Sequence, residues 1–230
     1  MERTIEYLDE LQFVKLLETG KKYMELMNRY RCAIMEVETK LNVLNTEFSL
    51  QFDRNPFESI KSRLKSPNSI IEKLKRKNLV LNEETIANVI EEQLYDVAGI
   101  RVVCAFQEDI YWLARLLMQQ DDIHLIRVKD YIKNPKPNGY RSLHLILEVP
   151  VFLSEGKTPM KVEVQFRTIA MDFWASVDHK LRYKKDLANE AEIVEKLRQC
   201  ADVIAGLDDE MQRIRSMIEE DISGEEAQCL

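Results

Sequence analysis

Lys129-Asp130-Tyr131-Ile132-Lys133-Asn134-Pro135-Lys136-Pro137-Asn138-Gly139-Tyr140-Arg141-Ser142-Leu143-His144, closed after a hydrophobic strand and a turn by Lys161-Val162-Glu163-Val164-Gln165-Phe166-Arg167-Thr168, is the stretch that decides the fold. Two prolines, two asparagines and a glycine between Asn134 and Gly139 forbid a helix there and make the first half a loop. The loop carries Lys129, Lys133 and Lys136 and presents Tyr140 where the next strand begins. The second half alternates: Val162, Val164 and Phe166 point one way, Glu163, Gln165 and Arg167 the other. A carboxylate, an amide and a guanidinium in one row beside a lysine-rich loop suit a phosphorylated substrate with a metal ion.

Between the halves, residues 141–149 read as a strand with Leu143, Leu145, Leu147 and Val149 on one face and Ser142, His144, Ile146 and Glu148 on the other. A lone strand histidine is more often a hydrogen-bonded surface residue than a catalyst. Pro150 and Ser154-Glu155-Gly156 mark the turn into strand 160–167. From Ile169 the pattern is helical (Met171, Trp174, Ala175, Val177, Asp178, Leu181), ending in Tyr183-Lys184-Lys185. Residues 190–222 hold Ile193, Leu197, Ala201, Ile204, Leu207, Met211, Ile214 and Ile218 at helical spacing, and Gly206 is a point where that segment could divide into two helices.

Toward the N-terminus, residues 123–131 alternate as a strand and 109–120 form a helix. Ile100 to Phe106 is a near-continuous β-forming run, as expected of a strand covered on both faces. Asp96 and Arg101 border or interrupt it, and burying either charge unpaired is expensive, so each is expected to meet a partner. Residues 83–93 are amphipathic, and 57–65 read as a basic strand. Ser66-Pro67 gives an N-cap with proline at the first helical position, opening a helix to about Asn78. Ile70, Ile71 and Leu74 form its buried face, and Ser69, Lys73 and Arg76 share another. A helix N-terminus flanked by Lys65, Ser69 and Lys73 can cradle a polyphosphate; a solvated basic helix has the same pattern. Met27, Tyr30, Ile34, Val37, Leu41, Leu44 and Phe48 recur at threes and fours, a packing seam, and residues 5–17 read as a short amphipathic helix.

The 230 residues suffice for one domain or one domain with helical extensions, and 45% hydrophobic residues can fill a core. The first residues are too charged for a secretory leader, and no apolar run approaches the ~18 residues of a membrane span. Cys32, Cys104, Cys200 and Cys229 lie far apart without a CxxC pair, so reduced cytoplasmic thiols are expected. The net charge of −7 is uneven: residues 190–230 hold 12 acidic and 4 basic side chains, whereas the remainder holds 28 and 29. Acidity confined to one segment does not repel nucleotides from the rest.

Arg63-Leu64-Lys65 with Ser69-Ile70-Ile71-Glu72-Lys73, Tyr95-Asp96-Val97-Ala98-Gly99-Ile100-Arg101, Asn138-Gly139-Tyr140-Arg141-Ser142-Leu143-His144 and Glu163-Val164-Gln165-Phe166-Arg167-Thr168 resemble the synthetase motifs of the RelA/SpoT family. They cover residues 57–185 in family order and spacing, and the short chain resembles the small alarmone synthetases, the stand-alone bacterial (p)ppGpp synthetases. The resemblance implies transfer of the β,γ-pyrophosphate of ATP to the 3′-hydroxyl of GDP or GTP. By position, Arg63 and Arg101 would sandwich adenine, and Lys65, Ser69, Lys73 and Arg76 would hold the ATP phosphates. Asp96 and Glu163 would bind Mg2+, Glu163 also drawing the 3′-hydroxyl proton. Lys129 and Lys136 would contact the guanosine phosphates, Tyr140 would stack on guanine, His144 and Gln165 would orient the acceptor, and Asp172 would lie near the base.

The family's hydrolase half carries a His-Asp metal motif, whereas His124, His144 and His179 here precede Leu125, Leu145 and Lys180, so synthesis without hydrolysis is expected. Ribosome-binding domains are not expected. The implied assembly is a homotetramer through terminal helices. Another nucleotidyltransferase-like enzyme, an RNA-binding module using Lys61–Lys77, or a structural oligomer are the competing classes; no RRM or KH signature accompanies the basic cluster. The expected fold is α/β: a mixed sheet of about five strands with flanking helices. Three segments are expected: N-terminal helices in 1–56, a synthetase domain in 57–185, and an acidic helical oligomerisation segment in 186–230.

Overall fold

In the computed structural model, residues 20–51, 54–79, 85–182 and 189–228 are described. The expected helix at 5–17 and the Tyr183-Lys184-Lys185 helix end lie outside them. Five strands, β1 (Phe57–Leu64), β2 (Ala98–Cys104), β3 (His124–Asp130), β4 (Leu143–Leu153) and β5 (Gly156–Thr168), form one mixed sheet in the order β1-β2-β5-β4-β3. Only β2 and β5 pair in parallel; the other neighbours are antiparallel. The alternating strand is thus the centre of the sheet, and a one-residue slip in it would turn Glu163 and Gln165 into the core.

Helix α1 (Lys21–Gln51) lays its seam on the sheet: Met27, Tyr30, Ile34, Val37, Leu41 and Phe48 are all buried. They meet Ile100, Val102, Val162, Val164, Phe166, Leu145 and Leu147 in one core cluster. The next helices are α2 (Pro67–Arg76), α3 (Ile86–Gln93) and α4 (Gln107–Met118). Phe48 of α1 stacks tilted on Trp112 of α4, ring centroids 4.8 Å apart, so both helices cover the same face of the sheet. The opposite face keeps its polar side chains. Ser66 caps α2, its hydroxyl accepting from the Ser69 N–H at 3.3 Å, and Pro67 occupies the first turn. Ile70, Ile71 and Leu74 are buried as the spacing requires.

At Pro150 and Gly206 the chain runs on where the sequence suggested a turn or a break. Pro150 does not end β4, which continues to Leu153 through a tight hairpin pairing Leu153 with Gly156. Counting back from that pair, Pro150 and Pro159 face each other at a site without ladder hydrogen bonds, so neither needs an N–H. Gly206 does not divide the C-terminal segment either: α6 (Glu190–Gln228) is one helix of 39 residues. A glycine weakens a helix interior by ~1 kcal/mol but removes no backbone donor, so the ladder continues.

Helix α6 crosses α5 (Ile169–Arg182) and the loop before β4. Trp174, Leu197 and Ala201 form a second small core, and the Trp174 indole donates to the Leu197 carbonyl at 3.0 Å. Farther along, the Thr168 hydroxyl donates to buried Asp208 at 2.7 Å, and Arg215 meets Asp109 at 3.4 Å. The rest of the apolar seam is open to solvent, with Leu207 61% and Ile218 54% exposed. Among the described residues no helix is long and apolar enough to cross a membrane.

Candidate active site

Strand pairing builds the site as rows. Lys61 pairs with Arg101, Arg101 with Gln165, Gln165 with His144 and His144 with Lys129, one polar residue from each of the five strands in a single line. One row over, Arg63 stands opposite Gly99, which pairs with Glu163. A β-carbon at Gly99 would lie 3.6 Å from the Arg63 Cγ, so the glycine leaves the arginine room to lie across its strand. The alternation read in Glu163, Gln165 and Arg167 therefore does place all three on the polar face.

At one end of these rows lies a cationic cluster around Asp96, which accepts from Lys73 at 2.7 Å and Lys65 at 3.1 Å. Burial alone would raise the Asp96 pKa, but the hydrogen bond from Lys73 and the two ammonium charges hold it below the usual carboxylate value. Its Oδ1 is buried without a hydrogen-bond partner. Ser69 is bonded to Ser66 at 3.0 Å at the mouth of α2. Arg76 is exposed, its Nε turned to the Glu72 carbonyl of its own helix, so it lies on the shared α2 face but apart from the Asp96 cluster.

Around Glu163 the side chains close a ring. His144 Nδ1 lies 3.1 Å from Glu163 Oε1, and the Gln165 amide donates to Oε2 at 2.7 Å. His144 Nε2 lies 2.9 Å from the Tyr140 hydroxyl, and Arg167 donates to that hydroxyl at 2.8 Å and to Gln165 Oε1 at 3.1 Å. Burial would raise the Glu163 pKa; the hydrogen bonds from His144 and Gln165 outweigh it and leave the acid ionised. Burial also pushes the His144 pKa down, with Arg167 and Lys136 adding to the effect against the pull of Glu163. His144 is 6% exposed, deeper than a lone strand histidine suggests.

Tyr140 is half-buried rather than freely exposed. Lys136 Nζ sits 4.7 Å and the Arg167 guanidinium 5.2 Å from its ring centre, and Tyr131 meets it edge-on. Lys136 is held below its ordinary pKa by burial first and then by Lys129, Arg167 and Lys73, while Glu163 opposes. Lys129 lies beside His144 across the β3–β4 ladder.

A cavity of about 620 Å³ opens over this face, lined by Arg63, Arg101, Tyr140, Gln165 and Arg167 on the sheet side and by Ser176, His179 and Lys180 of α5 opposite. A smaller one of about 130 Å³ shares Arg63, Arg101 and Gln165. Asp172, in the first turn of α5, does not stand free in the cavity: it bridges Arg101 at 3.1 Å and Arg167 at 2.9 Å. Asp96 and Arg101 thus both have the partners that their burial demanded. Sequence reasoning placed Arg167 in the polar row but gave it no role of its own, and missed Arg141 as a tether; Arg141 donates to the Ala201 carbonyl at 3.2 Å and to Asp202 at 3.1 Å. Alternation had put Arg167 on the right face, but its 5% exposure is a tertiary fact.

An anionic substrate fits this surplus of cations, and the two carboxylates fit Mg2+. Asp96 offers an unpaired buried oxygen, and each Glu163 oxygen accepts one donor while retaining acceptor capacity. Among the described residues no group of three or more His, Cys, Asp or Glu side chains could hold a metal ion alone. Magnesium is ordinarily held by one or two carboxylates together with substrate phosphates.

Residues 62–188 match a family described as a region found in RelA / SpoT proteins. The chain is 38% identical over 219 residues to GTP pyrophosphokinase YwaC of Bacillus subtilis, covering 95% of this chain and 100% of that protein. It is 33% identical to GTP pyrophosphokinase YjbM of the same organism, covering 87% and 92%. Among solved structures, small alarmone synthetase 1 of Bacillus subtilis bound to its product pppGpp superposes with a TM-score of 0.78 at 32% identity, covering 86% of this chain and 99% of that one. Small alarmone synthetase 2 of that organism gives 0.75 at 39% identity, covering 86% and 100%.

Proposed function

Because the chain belongs to the RelA/SpoT family, we propose that it is a (p)ppGpp synthetase, a GTP pyrophosphokinase that moves the β,γ-pyrophosphate of ATP to the 3′-hydroxyl of GDP or GTP and releases AMP. The observation that carries this is the polar face itself: a donor-side cluster (Lys65, Lys73, Asp96) and an acceptor-side ring (Tyr140, His144, Glu163, Gln165) joined across one sheet.

Transfer of a phosphoryl-type group needs alignment and charge neutralisation more than covalent help. Arg63 and Arg101 hold the adenine ring between their guanidinium planes. Lys65, Ser69 and Lys73, at the start of α2, take the ATP phosphates, where free N–H groups add to the ammonium charges. Arg76 on the same face serves the outer phosphate. Opposite them, Lys129 and Lys136 meet the guanosine phosphates, Tyr140 stacks on guanine, and Asp172 reaches the base edge only if it leaves Arg101 or Arg167. His144 and Gln165 fix Glu163, which accepts the proton of the 3′-hydroxyl as that oxygen attacks the β-phosphorus. Asp96 and Glu163 would hold Mg2+, which would supply neutralisation of charge on the substrate phosphates.

The exposed seam from Leu207 to Ile218 on α6 supports assembly with further copies of the chain, as a homotetramer, and the free thiols of Cys32, Cys104 and Cys200 support a place in the cytoplasm. Light scattering on the wild type and on Leu207→Glu tests the assembly. For the activity, the purified chain is incubated with ATP, GDP and magnesium and the nucleotides are separated. AMP together with guanosine tetraphosphate supports the assignment; ADP, free pyrophosphate or unchanged nucleotides sinks it.

A further inference from the structure

The hydrogen bonds in the ring around Glu163 can all run in the same sense, away from one atom. The Nη2 of Arg167 donates both to the Tyr140 hydroxyl at 2.8 Å and to Gln165 Oε1 at 3.1 Å. A guanidinium only donates, so both partners must accept there. With its oxygen receiving from Arg167, the Tyr140 hydroxyl keeps its own hydrogen free to point to His144 Nε2, 2.9 Å away. In that sense His144 carries its hydrogen on Nδ1, facing at 3.1 Å the Glu163 Oε1 of a carboxylate that only accepts. On the other arm, acceptance at Oε1 fixes the orientation of the Gln165 amide, so its Nε2 donates to Glu163 Oε2 at 2.7 Å. Two arms leave one nitrogen and end on the two oxygens of one carboxylate.

We propose that Arg167 is the positioning residue for Glu163, acting through two parallel hydrogen-bond arms, Tyr140–His144 and Gln165. Tyr140 therefore serves twice, its ring toward the acceptor base and its hydroxyl toward the catalytic carboxylate. A cation at the head of both arms and an anion at the foot polarise every donor in between in one direction. Asp172 anchors the head, accepting from Arg167 Nη1 at 2.9 Å, so the guanidinium cannot swing away from both arms together. The fork matters as much as the charge: an ammonium at this position could not span Asp172, Tyr140 and Gln165 in one plane. The role of Glu163 as base rests on the function proposed above; the direction of the ring does not.

The test combines kinetics with nitrogen-15 NMR of the imidazoles, practical because the chain has three histidines. Tyr140→Phe keeps the ring and removes one arm; Arg167→Lys keeps a charge and removes the head of both. Tyr140→Phe is expected to lower kcat about two- to tenfold, the worth of one hydrogen bond, with the KM for GDP within about twofold of wild type. Arg167→Lys is expected to lower kcat about ten- to a hundredfold, and to cost measurably less when Tyr140 is already Phe, since the arm it feeds is gone. In the wild type, NMR should find the His144 hydrogen on Nδ1, and both substitutions should shift the His144 ring nitrogens. Multiplicative kinetic effects, or a Tyr140→Phe loss confined to the KM for GDP, would overturn the proposal. So would a wild-type His144 hydrogen on Nε2, or His144 signals unmoved by either substitution. The NMR result stands even if no pyrophosphate transfer is found, so failure of the ring and failure of the assigned activity are told apart. If Arg167→Lys does not fold, Tyr140→Phe alone decides.

Discussion

Gly139→Ala would strike the acceptor loop where it meets the C-terminal helix. Gly139 has φ of +86°, and a β-carbon there would stand 2.5 Å from the Ala201 Cβ and 3.3 Å from the Arg198 Cα. Positive φ costs a non-glycine residue about 1–2 kcal/mol. Overpacking against a helix backbone adds about 1–3 kcal/mol, because α6 is held in place by Arg141, Asp208 and Trp174 and cannot simply slide. The sum of about 2–5 kcal/mol corresponds to a fall in Tm of roughly 4–20 °C for a chain of this size. Calorimetry measures it, and titration with GDP should show a weaker acceptor site while ATP binding is less affected, since Tyr140 is the next residue. Ala201→Gly in the same chain relieves the 2.5 Å contact but not the φ, so the double variant should regain about 1–3 kcal/mol against the sum of the single effects. A Gly139→Ala protein with wild-type Tm and wild-type GDP affinity would refute the idea that α6 presses on this loop.

Glu163→Gln should reduce turnover by at least ~10²-fold, the lower end for general-base loss, and Asp96→Asn, which removes a magnesium-binding carboxylate, should also reduce it, both with circular dichroism unchanged; near-native rates at saturating magnesium would remove that residue from the mechanism. Lys73→Ala and Ser69→Ala should weaken ATP more than GDP in binding titrations, and equal losses for both nucleotides would move α2 away from the donor. Tyr140→Ala should weaken GDP binding by about 1–3 kcal/mol, the value of a base–aromatic stack, with ATP little changed; loss of ATP binding instead would place Tyr140 on the donor side. Asp208 is pushed above its ordinary pKa by burial and by Asp209, with the Thr168 hydrogen bond opposing. A raised folded-state pKa means that the cost of ionising it appears as pH rises through that value and is absent below the unfolded value near 3.8. Asp208→Asn, which can still accept from Thr168, should therefore raise Tm at pH 7 by a few degrees, on the order of 1 kcal/mol, and lose that gain in strong acid. A lower Tm at pH 7 would contradict this.

Local chemistry made much of the fold legible. Ser66-Pro67 declared a helix start, the threes and fours from Met27 to Phe48 declared a buried seam, and the alternation of residues 162–167 declared a strand with one polar face. Those signals act within a few residues of each other and are written in the sequence. Pro150 was misjudged because its missing N–H matters only if a neighbour needs it, and that depends on the phase of pairing with Pro159. Gly206 left one helix or two open in the sequence, and the structure has one because a weak helix residue is not a helix end. The ring around Glu163 was half visible: residue types and faces could be read, but not that one guanidinium reaches Tyr140, Gln165 and Asp172 together. The tether of Arg141 to Ala201 and the bond of Thr168 to Asp208 join residues 60 and 40 positions apart. No local pattern encodes such contacts.

The central claim is that two phosphoryl groups move as one unit onto the acceptor, and isotope position tests it directly. Three parallel reactions contain GDP, magnesium and ATP labelled at the α-, β- or γ-phosphorus. The account predicts that the β and γ labels enter the guanosine product in equal amounts while the α label stays in AMP. Transfer of the γ label alone, or of the α label, would contradict it.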